Sequence, residues 1–111
     1  MFDFTKHGDI SVIKLNGDLN ISNSMDFKDW IISEFLDKKI VKILLDMSNI
    51  KSLDSFALGV LIGIYKRVIL AGGRLCILSP NENIKRLFEI TGMDKLLKIY
   101  NTISEALSEM R

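Results

Sequence analysis

The sequence is poor in reactive side chains: its 111 residues include one cysteine and one histidine. A lone cysteine excludes an internal disulfide framework and any cysteine-based zinc cluster. A lone histidine, with carboxylates scattered singly, offers no metal-ligand constellation. Charge of one sign is also missing, since 15 basic and 14 acidic residues leave a formal net charge of +1. That balance gives no electrostatic reason to expect nucleic acid or an anionic membrane as partner. No long hydrophobic run occurs. The longest, from Phe56 to Tyr65, is closed by Lys66-Arg67, about half of the ~20 residues a spanning helix needs. The N-terminus, Met1-Phe2-Asp3-Phe4-Thr5-Lys6, lacks the basic and apolar regions of a signal peptide. The expected location is the cytoplasm, where a free thiol stays reduced.

What is present suits a folded chain. Hydrophobic residues make up 48% and charged residues 26%, ordinary values for a globular protein. The length predicts a single domain over 1–111 with a core that needs no staples. Scarce reactive groups and a sufficient core point to a protein that binds and is not an enzyme, with no cofactor or metal expected.

Apolar periodicity divides the chain. Phe2 and Phe4 alternate with Asp3 and Thr5, a turn follows at His7-Gly8-Asp9, and Ile10 to Leu15 resumes the strand pattern. The spacing predicts a hairpin whose second strand ends at Asn16-Gly17-Asp18. From Ser24 the period becomes helical, with Phe27, Trp30, Ile31 and Phe35 on one stripe and Ser22, Asn23 or Ser24 available as cap. Ile40 to Asp46 is almost continuously apolar, as in an interior strand covered on both faces. Asn49 to Asp54 reads as a connector, and Phe56 to Ala71 as a helix stopped by Gly72-Gly73. Arg74 to Leu78 is a second buried strand, ended by Ser79-Pro80. Asn81 to Ile90 is helical, Leu97 to Tyr100 a short strand, and Thr102 caps a last helix with Glu105 three residues on. The order β-β-α-β-α-β-α-β-α requires crossovers, so the sheet should be mixed and mostly parallel.

Few residues offer chemistry. His7 falls in a turn, a poor place for a rigid general base, and Cys76 lies between Leu75 and Ile77 in a core strand. Gly72-Gly73 follows a helix and precedes a strand, the reverse of a phosphate-cradling loop. Gly59 and Gly63, spaced as G-x-x-x-G, are expected to let their helix lie close to the sheet. Asp54-Ser55 opens that helix, and a simple N-cap accounts for both residue types.

Beyond that simple cap, the unit Asp46-Met47-Ser48, then Asp54-Ser55-Phe56-Ala57-Leu58-Gly59-Val60-Leu61, resembles the STAS domains of bacterial anti-sigma factor antagonists. Gly17-Asp18-Leu19-Asn20, Gly72-Gly73 and Leu87-Phe88-Glu89-Ile90-Thr91-Gly92-Met93 fit the same pattern, so the likeness spans nearly the whole chain. The resemblance implies a STAS-like α/β fold and a protein that binds an anti-sigma factor with serine kinase activity, releasing the sigma factor. It implies that Ser55 is the phosphoacceptor, that phosphorylation switches binding off, and that a phosphoserine phosphatase resets it. The matching partner-binding residues are Asn20, Ile21, Asp54, Phe56, Ala57, Leu58 and Gly59. An apolar surface of Ile21, Phe56, Ala57 and Leu58 is expected around the acceptor, and it would suit a homodimer as readily as a heterologous complex. The chain departs from the family pattern at Phe56, where a second Ser or Thr is usual, at Ala57 in place of Gly, and at Asn20 in place of an acid. Phe56 is the feature that would suit the alternative, a STAS-type scaffold or a small-ligand or nucleotide-binding module not phosphorylated at Ser55.

Overall fold

A computed structural model describes residues 2–111. The strands are β1 (Phe2–His7), β2 (Ile10–Leu19), β3 (Lys42–Leu53), β4 (Arg74–Leu78) and β5 (Lys98–Tyr100). The helices are α1 (Ser24–Glu34), α2 (Ser55–Leu70), α3 (Glu82–Thr91) and α4 (Ile103–Met110), in the order the periodicity predicts. One sheet runs β1-β2-β3-β4-β5, with β1 antiparallel to β2 and the other neighbours parallel. The mixed, mostly parallel α/β architecture is therefore as expected.

Both faces of the sheet are covered, which explains the unbroken apolar run in β3. Ile43, Leu44 and Leu45 are fully buried because successive side chains of a strand enter opposite layers. On one face Ile43, Leu45 and Met47 pack with Phe27 and Ile31 of α1, Leu61 and Ile64 of α2, and Ile84 and Phe88 of α3. On the other, Leu44 joins Ile10, Val12, Cys76, Leu78 and Tyr100 beneath Ala106 and Met110 of α4. The hairpin is held to α1 by aromatic contacts: the ring of Phe2 lies 4.7 Å from Trp30, and that of Phe4 lies 5.1 Å from Phe35 at the end of the helix.

Two strands are longer than their local chemistry suggests. β2 continues through Asn16-Gly17-Asp18 to Leu19, and β3 continues through the expected connector to Leu53. The extensions pair with each other, Asn16 with Asn49, Gly17 with Ile50 and Leu19 with Leu53, across two register shifts. Turn-forming residues are accommodated as bulges, with Gly17 at φ +88°. Buried Leu19 and Ile50 anchor the extension, and Asn49 Nδ2 donates to Asn16 Oδ1 at 2.9 Å. At the other end β3 starts at Lys42, so Ile40 and Val41 precede the strand.

The role expected for the α2 glycines is not theirs. Gly59 is exposed, and a Cβ on it would meet open space. Gly63 faces Lys28 of α1, whose Nζ lies 3.4 Å from where a Cβ would stand. The glycine that permits close packing is Gly73, where a Cβ would overlap the Val41 carbonyl. Its own N–H donates to Val68 O at 2.9 Å, fixing the α2 exit. We expect Gly73→Ala to cost about 1–3 kcal/mol through forced backbone shifts. Gly59→Ala should instead gain up to about 1 kcal/mol of helix propensity. Urea unfolding of both variants reads the two signs directly.

Candidate functional site

The site forms where β2 and β3, extended side by side, deliver their C-terminal ends to two helix starts. α1 follows β2 through the loop Asn20–Asn23, and α2 follows β3 directly at Asp54. Each helix connects two parallel strands, so both run antiparallel to the strands and parallel to each other.

Asp54 links the two starts. Its backbone is extended, with φ −87° and ψ 172°, and its Oδ1 accepts from the Ala57 N–H at 2.8 Å as the N-cap of α2. Its Oδ2 accepts from the Ile21 N–H at 3.0 Å, 33 residues away in the chain. The Asp54 N–H donates to Leu19 O at 3.3 Å. One carboxylate thus satisfies an orphan donor of α2 and ties the α1 loop to it.

The loop is rigidified from within. Asn20 Oδ1 accepts from the Ser22 N–H at 2.9 Å, and Asn23 Oδ1 accepts from the Asn20 N–H at 2.9 Å. Asn23 Nδ2 donates to Asp18 O at 2.8 Å. Asn23 stands at the N-cap position of α1 but spends its side chain on the loop, making no cap hydrogen bond to the helix. Asn20 is therefore a loop organiser, and an aspartate there would accept the same Ser22 hydrogen bond.

Ser55 is the first residue of α2 and is exposed. Phe56 beside it is 42% exposed, and Ile21 across the Asp54 link is 64% exposed. Ala57 and Leu58 do not share this surface: they are 0% and 8% exposed and point into the core. The expected apolar surface is corrected accordingly, to Ile21 and Phe56 flanked by Gly59. Helical phase carries the signal, because Ala57, Leu61, Ile64 and Val68 form the buried stripe while Phe56, Gly59 and Gly63 fall on the other side. Met25 of α1, 45% exposed and off the Phe27–Ile31 stripe, extends the surface. Lys28 faces Gly63, and one turn earlier on each parallel helix come Met25 and Gly59. Sequence reasoning missed Met25 because nothing local ties it to the α2 motif.

The reactive groups lie elsewhere. His7 ends β1, exposed, with Nε2 3.2 Å from Thr5 Oγ1. Cys76 is buried under α4, and desolvation pushes its thiol pKa up, against the opposing pull of Arg74 and Lys98. Burial raises Tyr100 likewise. No helix among the described residues is long and apolar enough to cross a membrane.

Two outcomes follow from these positions. Removing the Asp54 carboxylate takes away the α2 cap and the Ile21 tether together. Asp54→Ala should cost roughly 1–3 kcal/mol in chemical denaturation, and should speed hydrogen exchange at the Ile21 and Ala57 amides. For Cys76 the raised pKa means that the unfolded chain ionises first. Stability from the buried neutral thiol is intact below the ordinary thiol pKa and declines as pH rises beyond it. Iodoacetamide should therefore label the native thiol roughly tenfold or more slower than the urea-unfolded one.

Comparison with known proteins shows the family. The STAS domain family model matches residues 1–106. A Thermotoga neapolitana protein, provisionally named an anti-sigma factor antagonist, is 45% identical over 111 residues, covering 100% of this chain and 98% of that protein. The crystal structure of a Thermotoga maritima protein with the same provisional name superposes with a TM-score of 0.95 at 42% identity, over 99% of this chain and 94% of that one. The Bacillus cell fate determinant SpoIIAA, in its phosphorylated form, shares the fold at 20% identity with a TM-score of 0.76, over 100% of both chains. With its family model spanning nearly all residues and its α/β topology shared, this chain belongs to the STAS domain family.

Proposed function

We propose that the protein is an anti-sigma factor antagonist whose binding surface is Ile21, Met25, Phe56 and Gly59 around Ser55. The unphosphorylated form binds an anti-sigma factor with serine kinase activity and so frees the sigma factor. That partner phosphorylates Ser55, and a phosphoserine phosphatase restores the active form. The protein acts in the cytoplasm as a non-enzymatic regulator. The observation that carries this reading is an exposed serine at a helix start, next to two exposed apolar side chains held in place by one carboxylate. The names of its relatives and the existence of a phosphorylated SpoIIAA structure support the same reading.

The energetics favour a switch at the interface over a change of fold. A phosphoryl group adds about −1.5 to −2 charges at pH 7. On Ser55 it sits at the positive end of α2, where the helix dipole and free N–H groups favour it by about 0.3–1 kcal/mol. Burying that charge against an apolar partner surface costs several kcal/mol. A penalty of roughly 3–4 kcal/mol corresponds to a few hundred-fold in affinity. The interface penalty is the larger effect, so modification releases the partner and leaves the domain folded.

Incubation with the anti-sigma factor and ATP, followed by intact mass, tests the acceptor. One phosphoryl group is expected on the parent and none on Ser55→Ala, with calorimetric affinity for the anti-sigma factor falling by a few hundred-fold on modification. An unmodified parent, or the same mass gain on Ser55→Ala, would falsify the switch. The half-exposed Phe56 ring beside the acceptor favours the second reading in that event: a STAS-type binding module that is not phosphorylated at Ser55.

A further inference from the structure

At the opposite end of β3 from Ser55, the β1–β2 turn and the segment entering β3 line a half-open cavity of about 190 Å³. Lys6, Gly8, Asp9, Ser11, Lys39 and Lys42 supply its polar lining. We propose that this cavity is a binding site for a small tetrahedral oxyanion, phosphate or the phosphoryl group of a small ester.

Charge is the first argument. Lys42 Nζ is paired with Asp9 Oδ2 at 3.0 Å. Lys6 and Lys39 have no acidic partner within salt-bridge distance among the described residues, so the lining carries two uncompensated positive charges. A phosphate monoester near neutral pH carries a matching charge of about −1.5 to −2, and free phosphate is a mixture of its mono- and dianion. In a chain whose net charge is only +1, this concentration is local and is not a consequence of overall basicity.

A hydroxyl on the cavity wall is the second argument. Ser11 is 1% exposed and lines the cavity, although the buried hydroxyl without a partner among the described residues is Ser24 Oγ, elsewhere in the fold. The Ser11 hydroxyl supplies a donor from which an oxyanion in the cavity would accept. The neighbouring strand residues Ile10, Val12 and Ile13 are all buried apolar groups, so the serine interrupts a core pattern at the point where the strand meets the cavity.

Backbone conformation is the third. Lys39 is held in the left-handed region at φ 62°, where it closes the 3-10 turn Leu36–Lys38. Glycine fills such positions without a steric penalty. A lysine kept there is one of the residues that line the cavity, and residues in sparsely populated regions concentrate at binding sites.

Size sets the ligand class. A volume of 190 Å³ equals the liquid share of about six waters and falls below the ~300–1,000 Å³ of pockets for drug-sized ligands. That volume suits a small anion such as phosphate better than a drug-sized ligand. The site lies on other residues than the Ser55 surface, so the proposal is independent of the anti-sigma reading.

The test is titration of the ¹⁵N-labelled protein with inorganic phosphate at fixed ionic strength, with glycerol phosphate as a second arm. Saturable shifts are expected at the amides of Gly8, Ser11, Lys39 and Val41, and none at Ser55. Lys6→Gln/Lys39→Gln should weaken binding by about tenfold or more, since each lost charged hydrogen bond removes a substantial share of the affinity. Ser11→Ala, which removes only the hydroxyl, should weaken it by a smaller factor and serves as an independent variant. Tighter binding of glycerol phosphate assigns the site to a phosphoryl ester, and weaker binding to free phosphate. Shifts that never saturate with either anion, or unchanged affinity in both variants, would overturn the proposal.

Discussion

The candidate site depends on one carboxylate with two commitments. Asp54 caps α2 through one oxygen and fixes the Ile21 amide through the other. Without the first bond, the helix that carries Ser55 would start with an unsatisfied donor. Without the second, the α1 loop would keep its internal hydrogen bonds but lose its position relative to α2. Capping residues are usually discussed as contributors to stability. Here the same interaction determines whether two apolar side chains from distant parts of the chain form one surface.

Everything upstream of that link arranges for it to be possible. β2 and β3 must run on past their apolar centres to bring Leu19 and Asp54 side by side, and the bulged pairing from Asn16 to Leu53 does this. Buried Ile50 and Leu19 hold the extension down. Asn81 adds a brace, donating to Ile50 O while its Oδ1 caps α3. Three helix starts are therefore gathered at one end of the sheet, two of them linked through Asp54 and the third tied to the same strand extension. Rigid helix starts suit a switch that works by adding charge at a surface. On the proposed reading, a helix end that tolerates a phosphate would let modification act on association and leave the scaffold as it was.

Much of this was legible in the sequence, and the rest was not for physical reasons. The change of period from two to 3.6 identified the hairpin and α1, and unbroken apolar runs identified β3 and β4, because burial on one face or on both imposes those patterns. Strand lengths were misjudged at Asn16-Gly17-Asp18 and at Asn49, where local turn chemistry is strong but a long-range ladder with bulges overrides it. The Asp54-Ser55 motif was visible because a capped helix start is a local feature. The bond from Asp54 to Ile21 spans 33 residues, and no local pattern encodes it. Ala57 and Leu58 were placed on the surface although the phase of α2 puts both in the core. Gly73, and not Gly59 or Gly63, proved to be the close-packing glycine, since contact with Val41 is a tertiary fact.

The central claim is that the Asp54-organised surface around Ser55 is where the protein meets its anti-sigma partner. The most direct measurement is the amide footprint of an unlabelled anti-sigma factor on the ¹⁵N-labelled, unphosphorylated protein. The account predicts perturbations concentrated at Ile21, Met25, Ser55, Phe56 and Gly59, with α4 and β5 unaffected. A saturating footprint centred on α4, β5 or the β1 edge, leaving Ile21 and Phe56 unchanged, would contradict it.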